Sequence, residues 1–141
     1  MRLLLKSSLL RALSLVNMHH SPESFDLIIQ YLQESETLQE LDLSWSIVKP
    51  SHWVTFMEAI RDNRKLTCLS LSFNQLMEEQ SYKPEESEDE ADVELTWRNQ
   101  EIIDHFKQFI KYNPFLINLD LQQTGLMMPA IKQFGHILTR A

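Results

Sequence analysis

Residues 38–48 read LQELDLSWSIV, residues 66–76 read LTCLSLSFNQL, and residues 116–126 read LINLDLQQTGL. Leu38, Leu41 and Leu43 recur with a period of 28 as Leu66, Leu69 and Leu71. The same step backwards finds Leu10, Leu13 and Leu15. The last triplet, Leu116, Leu119 and Leu121, is displaced from the third by 50, which is one period of 28 and a further 22. An insertion between the third and fourth units therefore restores the register.

The intervening segments carry a second, independent periodicity. Phe25, Ile28 and Leu32 map onto Trp53, Phe56 and Ile60, then onto Ile103, Phe106 and Ile110, then onto Ile131, Phe134 and Leu138. All these positions are apolar at offsets of three and four, the stripe of one helix face. Ser21 before Pro22 suits a helix start, and Ser51 after Pro50 is read the same way. Asn63 and Asn113 fall near helix ends, where asparagine supports a turn.

The physical unit is a short strand followed by a helix. Within LxxLxL the alternate leucines point one way and the residues between them the other. No single unit can bury its apolar face alone, but stacked neighbours share a continuous core. Strands joined through helices run parallel, and the wider helices curve the stack with strands inside. The fold expected is α/β: one domain over 1–141, an open parallel-strand solenoid of four repeats starting near 10, 38, 66 and 116, with an acidic insertion over 79–100 that is disordered in part.

The pattern LxxLxLxxNxL with this period resembles the leucine-rich repeats of the ribonuclease-inhibitor type, and the resemblance covers the chain outside the insertion. It implies a horseshoe segment whose asparagine position bonds to turn backbone. That position holds Asn74 in the third repeat, Ser46 in the second, Thr124 in the fourth and Met18 in the first. Ser and Thr can replace the amide only in part, Met18 cannot, and His20 stands where the motif has leucine. The first repeat is the most degenerate.

Composition narrows the function. Of a net charge of -7, residues 78–94 contribute -8, from nine acidic side chains and Lys83, and the rest of the chain is +1. The acidity belongs to the insertion, and no Lys/Arg cluster suggests a nucleic-acid surface. The lone Cys68 excludes an internal disulfide and a thiolate metal cluster. No apolar run is long enough to span a membrane, and Lys6 and Arg11 interrupt the opening MRLLLKSSLLRALSL, which is read as the first repeat and not as a secretory signal.

Catalysis finds no support in the pattern. Glu40 and Asp42 share one side of a strand, but nothing in the row supplies a histidine, a lysine or the cleft that paired carboxylates need. His19, His20, His52, His105 and His136 match no metal spacing. Cys68 has no histidine placed beside it and is read as an ordinary thiol. No catalytic, cofactor-binding or metal-binding residue is assigned.

The expected function is non-enzymatic: a protein–protein interaction or scaffold module within a larger assembly, cytoplasmic and open to a cytoskeletal association. Ala12, Ser14, Val16, Glu40, Asp42, Ser44, Cys68, Ser70, Ser72, Asn118, Asp120 and Gln122 are expected on the concave face. The candidate partner-binding residues are Glu40, Asp42, Ser44, Trp45, Ser70, Ser72, Phe73, Asn118, Asp120 and Gln122, with Trp97 at the insertion flank. The same row also reads as a solvated sheet face, and Trp45 as a residue packed into its turn. The insertion is either a tolerated loop or a contact for a basic partner surface, with Ser87 a candidate phosphorylation acceptor; the alternation of Val93, Leu95 and Trp97 suggests that its end folds back or adds a strand. The repeat resemblance leaves open a regulator of a small GTPase or a nuclease, or a filament capper of the tropomodulin type. The small repeat number fits a fragment of a longer horseshoe or a subunit whose ends neighbours cover.

Overall fold

Each leucine triplet organises a three-residue strand: β1 (Ala12–Ser14), β2 (Glu40–Asp42), β3 (Cys68–Ser70) and β4 (Asn118–Asp120). Between them run helices α1 (Pro22–Glu34), α2 (Pro50–Arg61) and α3 (Trp97–Tyr112). The structure is a computed structural model describing residues 9–46, 48–76, 97–125 and 132. The strands form one parallel sheet in the order β1-β2-β3-β4, a mixed α/β arrangement. Leu13 pairs with Leu41, Leu41 with Leu69, and Leu69 with Leu119. The sheet thus steps over the insertion in the register that the leucine spacing predicts.

The strands are short, but backbone pairing continues beyond them as isolated rungs on both sides. At the leading edge Gln39 N donates to Arg11 O, Thr67 N to Gln39 O and Ile117 N to Thr67 O, each at 2.7 Å. Beyond the strands Leu15 N, Leu43 N and Leu71 N reach Asp42 O, Ser70 O and Asp120 O, each at 2.9 Å. One rung further, Asn17 N donates to Ser44 O (3.0 Å), Trp45 N to Ser72 O (3.1 Å) and Phe73 N to Gln122 O (2.8 Å). Every unit therefore hands its backbone donors to the unit beside it.

Most of the core is the predicted stripe set against the predicted leucines, joined by Ile29, Tyr31, Met57, Leu76, Ile102 and Phe109, which belong to neither the leucine triplets nor the stripe. Phe25, Ile28, Leu32, Trp53, Phe56, Ile60, Ile103 and Phe106 are buried, Ile110 partly so. In the two central units Leu38, Leu41, Leu43, Leu66, Leu69 and Leu71 are buried, whereas the triplets of β1 and β4 are only partly so. Among the described residues β1 and β4 have a neighbouring strand on one side only, which accounts for the gradient. Phe25 meets Trp53 edge-on at 5.2 Å, and Trp53 meets Phe56 at 5.5 Å and 86°, geometries that aromatic quadrupoles favour. Burying side chains of this kind contributes about 1.5–3 kcal/mol each.

Two boundaries differ from the sequence reading. Ser21 does cap α1, accepting from Ser24 N at 3.2 Å, but Ser51 caps nothing: α2 begins at Pro50 with Lys49 as its N-cap and no side-chain cap bond. Proline's fixed φ and missing N–H place it first in the helix, so in the order Pro-Ser the serine is already inside. The end of the 79–100 span is helical, α3 being 16 residues long where α2 has 12. Residues 97–100 form the first turn of α3, and Asn99 there is fully buried. Val93, Leu95, Ser87, the helix stripe of the fourth repeat (Ile131, Phe134, Leu138) and most of the insertion lie outside the described residues.

The asparagine position behaves as the side-chain chemistry requires. Asn74, 3 % exposed, donates to Leu43 O at 2.8 Å and Leu71 O at 2.9 Å while accepting from Ser46 N at 2.8 Å. Thr124 donates to Leu121 O at 2.8 Å, and Ser46 reaches Leu15 O only at 3.5 Å. Met18 is exposed. His20 is buried, rests against Phe25 at 6.1 Å between ring centres, and lies 3.4 Å from the Ser46 hydroxyl. At the helix ends Asn63 accepts from Lys65 N (2.8 Å) and Leu66 N (2.9 Å), and Asn113 donates to Leu66 O (2.9 Å).

Candidate docking face

Because the inner leucines point to the helices, the alternate side chains line the other face of the sheet. That face is an open depression of about 440 Å³ bordered by Ala12, Ser14, Glu40, Asp42, Cys68, Ser70 and Asn118. Glu40 and Asn118 are exposed, and Asp42, Cys68, Ser70 and Asp120 are half-buried. Glu40, Asp42 and Asp120 form no ion pair among the described residues. The register sets Asp42 and Asp120 on either side of Ser70 in one row, about 10 Å apart at two strand spacings. An open, shallow acidic surface suits a macromolecular contact better than an enclosed small ligand.

Ser44 and Ser72, expected on this face, are largely covered, at 7 % and 4 % exposure. Alternation continues past the three paired residues, since Leu43 and Leu71 lie in the core and the Ser44 and Ser72 hydroxyls meet Asp42 and Ser70 of the open face; it is their neighbours that cover the two serines. The serines close a hydroxyl network. Ser44 Oγ donates to Asp42 Oδ1 (2.6 Å) and lies 2.7 Å from Ser70 Oγ and 2.9 Å from Ser72 Oγ. Ser44 N also donates to Asp42 Oδ1 at 2.9 Å, as Gln122 N does to Asp120 Oδ1 at 3.1 Å. These bonds hold each aspartate in one orientation, and among the described residues no ion pair compensates its charge.

The same turns present the two aromatic candidates. Trp45 and Phe73 are 54 % and 39 % exposed, and their rings stack nearly parallel, 4.3 Å apart at 9°. Both sit in left-handed backbone, φ 59 for each, as do Asn17 (56) and Gln123 (52) at the equivalent places of the outer repeats. Left-handed backbone costs an L-residue about 1–2 kcal/mol and is least suited to bulky side chains. The backbone rungs to Ser72 O and Gln122 O hold the turns there, and ring stacking returns about 0.5–1.5 kcal/mol. Asparagine would fit either turn with less backbone strain, as Asn17 does in the first unit.

Gln122 is exposed on the β4 turn. Trp97 opens α3 in the backbone, while its side chain lies outside the described residues. The sequence reading did not anticipate that the two rings stack on one another, or that Tyr112, Phe115 and Ile117 are exposed near the start of β4. A leucine-centred pattern carries no signal for either. Cys68 is a half-exposed free thiol, with the Thr67 hydroxyl 3.9 Å from its Sγ. Among the described residues no three His, Cys, Asp or Glu side chains are grouped to hold a metal ion, and no helix is long and apolar enough to cross a membrane. His136 lies outside the described residues.

No protein-family model matches the chain, and no curated protein matches it.

Proposed function

We propose that this chain is a leucine-rich-repeat solenoid of the ribonuclease-inhibitor type that acts as a non-enzymatic protein-binding or scaffold module. In this reading it is a cytoplasmic component of a larger assembly, and its mechanism is surface complementarity with no chemical step. The observation that carries the reading is the exposed Trp45–Phe73 stack, held in unfavourable backbone beside the acidic sheet face. Large, rigid aromatics at the centre of a polar surround are the usual anchors of protein interfaces. Glu40, Asp42, Ser70, Asn118, Asp120 and Gln122 supply the polar surround, and Ser44 and Ser72 act by holding Asp42 and Ser70.

The test is affinity enrichment with quantitative mass spectrometry, run in parallel on the native chain and on Trp45→Asn/Phe73→Asn. Asparagine keeps the left-handed turn, as Asn17 does in the first repeat. Loss of two anchors predicts at least a tenfold fall in recovery of a specific partner, about 1.4 kcal/mol. Equal recovery of every associated protein by both chains would remove the stack from the binding surface.

A further inference from the structure

The docking face also indicates the chemistry of what it meets. We propose that its occupant is an arginine-bearing segment of a partner protein, with guanidinium groups seated against the Asp42–Ser70–Asp120 row and the Trp45–Phe73 shelf. This rests on the reading of that face as a protein-binding surface. Three carboxylates, Glu40, Asp42 and Asp120, border or flank the depression, and none is neutralised by an ion pair among the described residues. The strand residues of the face, Ala12, Ser14, Glu40, Asp42, Cys68, Ser70, Asn118 and Asp120, include no cation.

An acidic row alone would attract any cation, and the aromatic shelf narrows the choice. Each stacked ring covers one face of the other and leaves its own outer face free on a residue that is exposed, and a planar guanidinium can lie on such a face while its N–H edge remains available to a carboxylate. Lysine's compact, strongly hydrated ammonium does this less well. Asp42 and Asp120 are held by bonds from Ser44 and Gln122, so the acceptors are oriented before anything arrives and little ordering cost remains. The carboxylates repel phosphate, which disfavours nucleic acid. They equally repel the same face of a second copy and the chain's own insertion, where residues 78–94 carry -8.

The experiment is selection of a phage-displayed random dodecapeptide library on the full chain, counter-selected on Trp45→Asn/Phe73→Asn. Peptides that require the stack should carry arginine beside an apolar residue. For one such synthetic peptide, Arg→Lys should weaken binding about tenfold. Asp42→Asn/Asp120→Asn should weaken it by at least as much and flatten its dependence on salt; asparagine Oδ1 can still accept the bonds from Ser44 and Gln122. Should the asparagine counter-selection chain fail to fold by circular dichroism, Trp45→Gln/Phe73→Gln replaces it, glutamine being the residue in the left-handed turn at Gln123. Stack-dependent peptides that are acidic or purely apolar would overturn the arginine proposal and leave the binding face intact. If no peptide distinguishes the native chain from the variant, the binding face falls as well.

Discussion

Replacing Asn74 by alanine is the sharpest probe of how the units are held together. The side chain is 3 % exposed and makes three short bonds to backbone groups of two adjacent units, Leu43 O, Leu71 O and Ser46 N, at 2.8, 2.9 and 2.8 Å, beside a longer one to Ser72 O at 3.4 Å. Leu43 and Leu71 are themselves 0 % exposed and Ser46 6 %, so water cannot readily replace the amide. Each stranded group costs about 1 kcal/mol or more, so the variant should lose about 3–4 kcal/mol. That is a large share of the stability a single domain commands. Thr124→Ala removes a side-chain bond at the same motif position and should lose about 1 kcal/mol. Asn74→Thr, copying the fourth repeat, should recover roughly a third of the alanine loss by restoring one of three bonds. Urea titrations followed by circular dichroism give the three values, with the fluorescence of buried Trp53 as a second probe. If Asn74→Ala costs no more than Thr124→Ala, the amide bonds are not what ties the units together.

Other perturbations separate what packing distinguishes. Leu69→Asp places a charge where exposure is 1 %, at a cost on the order of 5 kcal/mol, and should abolish the cooperative melt; Leu119→Asp, on a partly buried edge strand, should leave a folded chain of lower Tm. An unchanged melting curve for the first would contradict the core. Burial, and secondarily the neighbouring His19, hold His20 below its usual pKa. Between the folded and the unfolded pKa the unfolded chain binds more protons, so stability is full above about pH 6.5 and falls as pH drops through that window. His20→Leu should flatten the change in urea midpoint between about pH 7.5 and about pH 5.5 relative to the native chain, and an identical slope in both would exclude His20 as the source. Deleting residues 79–96 should preserve the melt, whereas deleting 79–100 should destabilise the chain by removing the first turn of α3 with the buried Asn99; equal melting temperatures would refute the boundary at Trp97.

The fold was legible because it is written in a spacing. Leucine triplets with a period of 28 through three units, and displaced by 50 in the fourth, predict both the order and the register of the strands. The helix stripe is legible for the same reason, since position along a helix determines the face that a side chain joins. Periodicity loses its authority where the chain leaves regular structure. Alternation places Ser44 and Ser72 with the open face, where their hydroxyls do meet Asp42 and Ser70, but it carries no signal that neighbours past the strand ends cover both serines. It also treated Pro50-Ser51 as equivalent to Ser21-Pro22, whereas the order of the two residues decides which one caps.

The register of the sheet and the identity of its core are already present in the linear pattern, because burial on a repeating backbone is a one-dimensional property. The candidate site exists only in three dimensions. Trp45 and Phe73 stand a full period apart in the chain and become a single surface, rings 4.3 Å apart, only when two left-handed turns are stacked in register. Asp42 and Asp120, separated in sequence by the whole insertion and two helices, become a pair across Ser70 for the same reason. Local pattern says which way a side chain points; which side chains then meet depends on how the units are placed on one another.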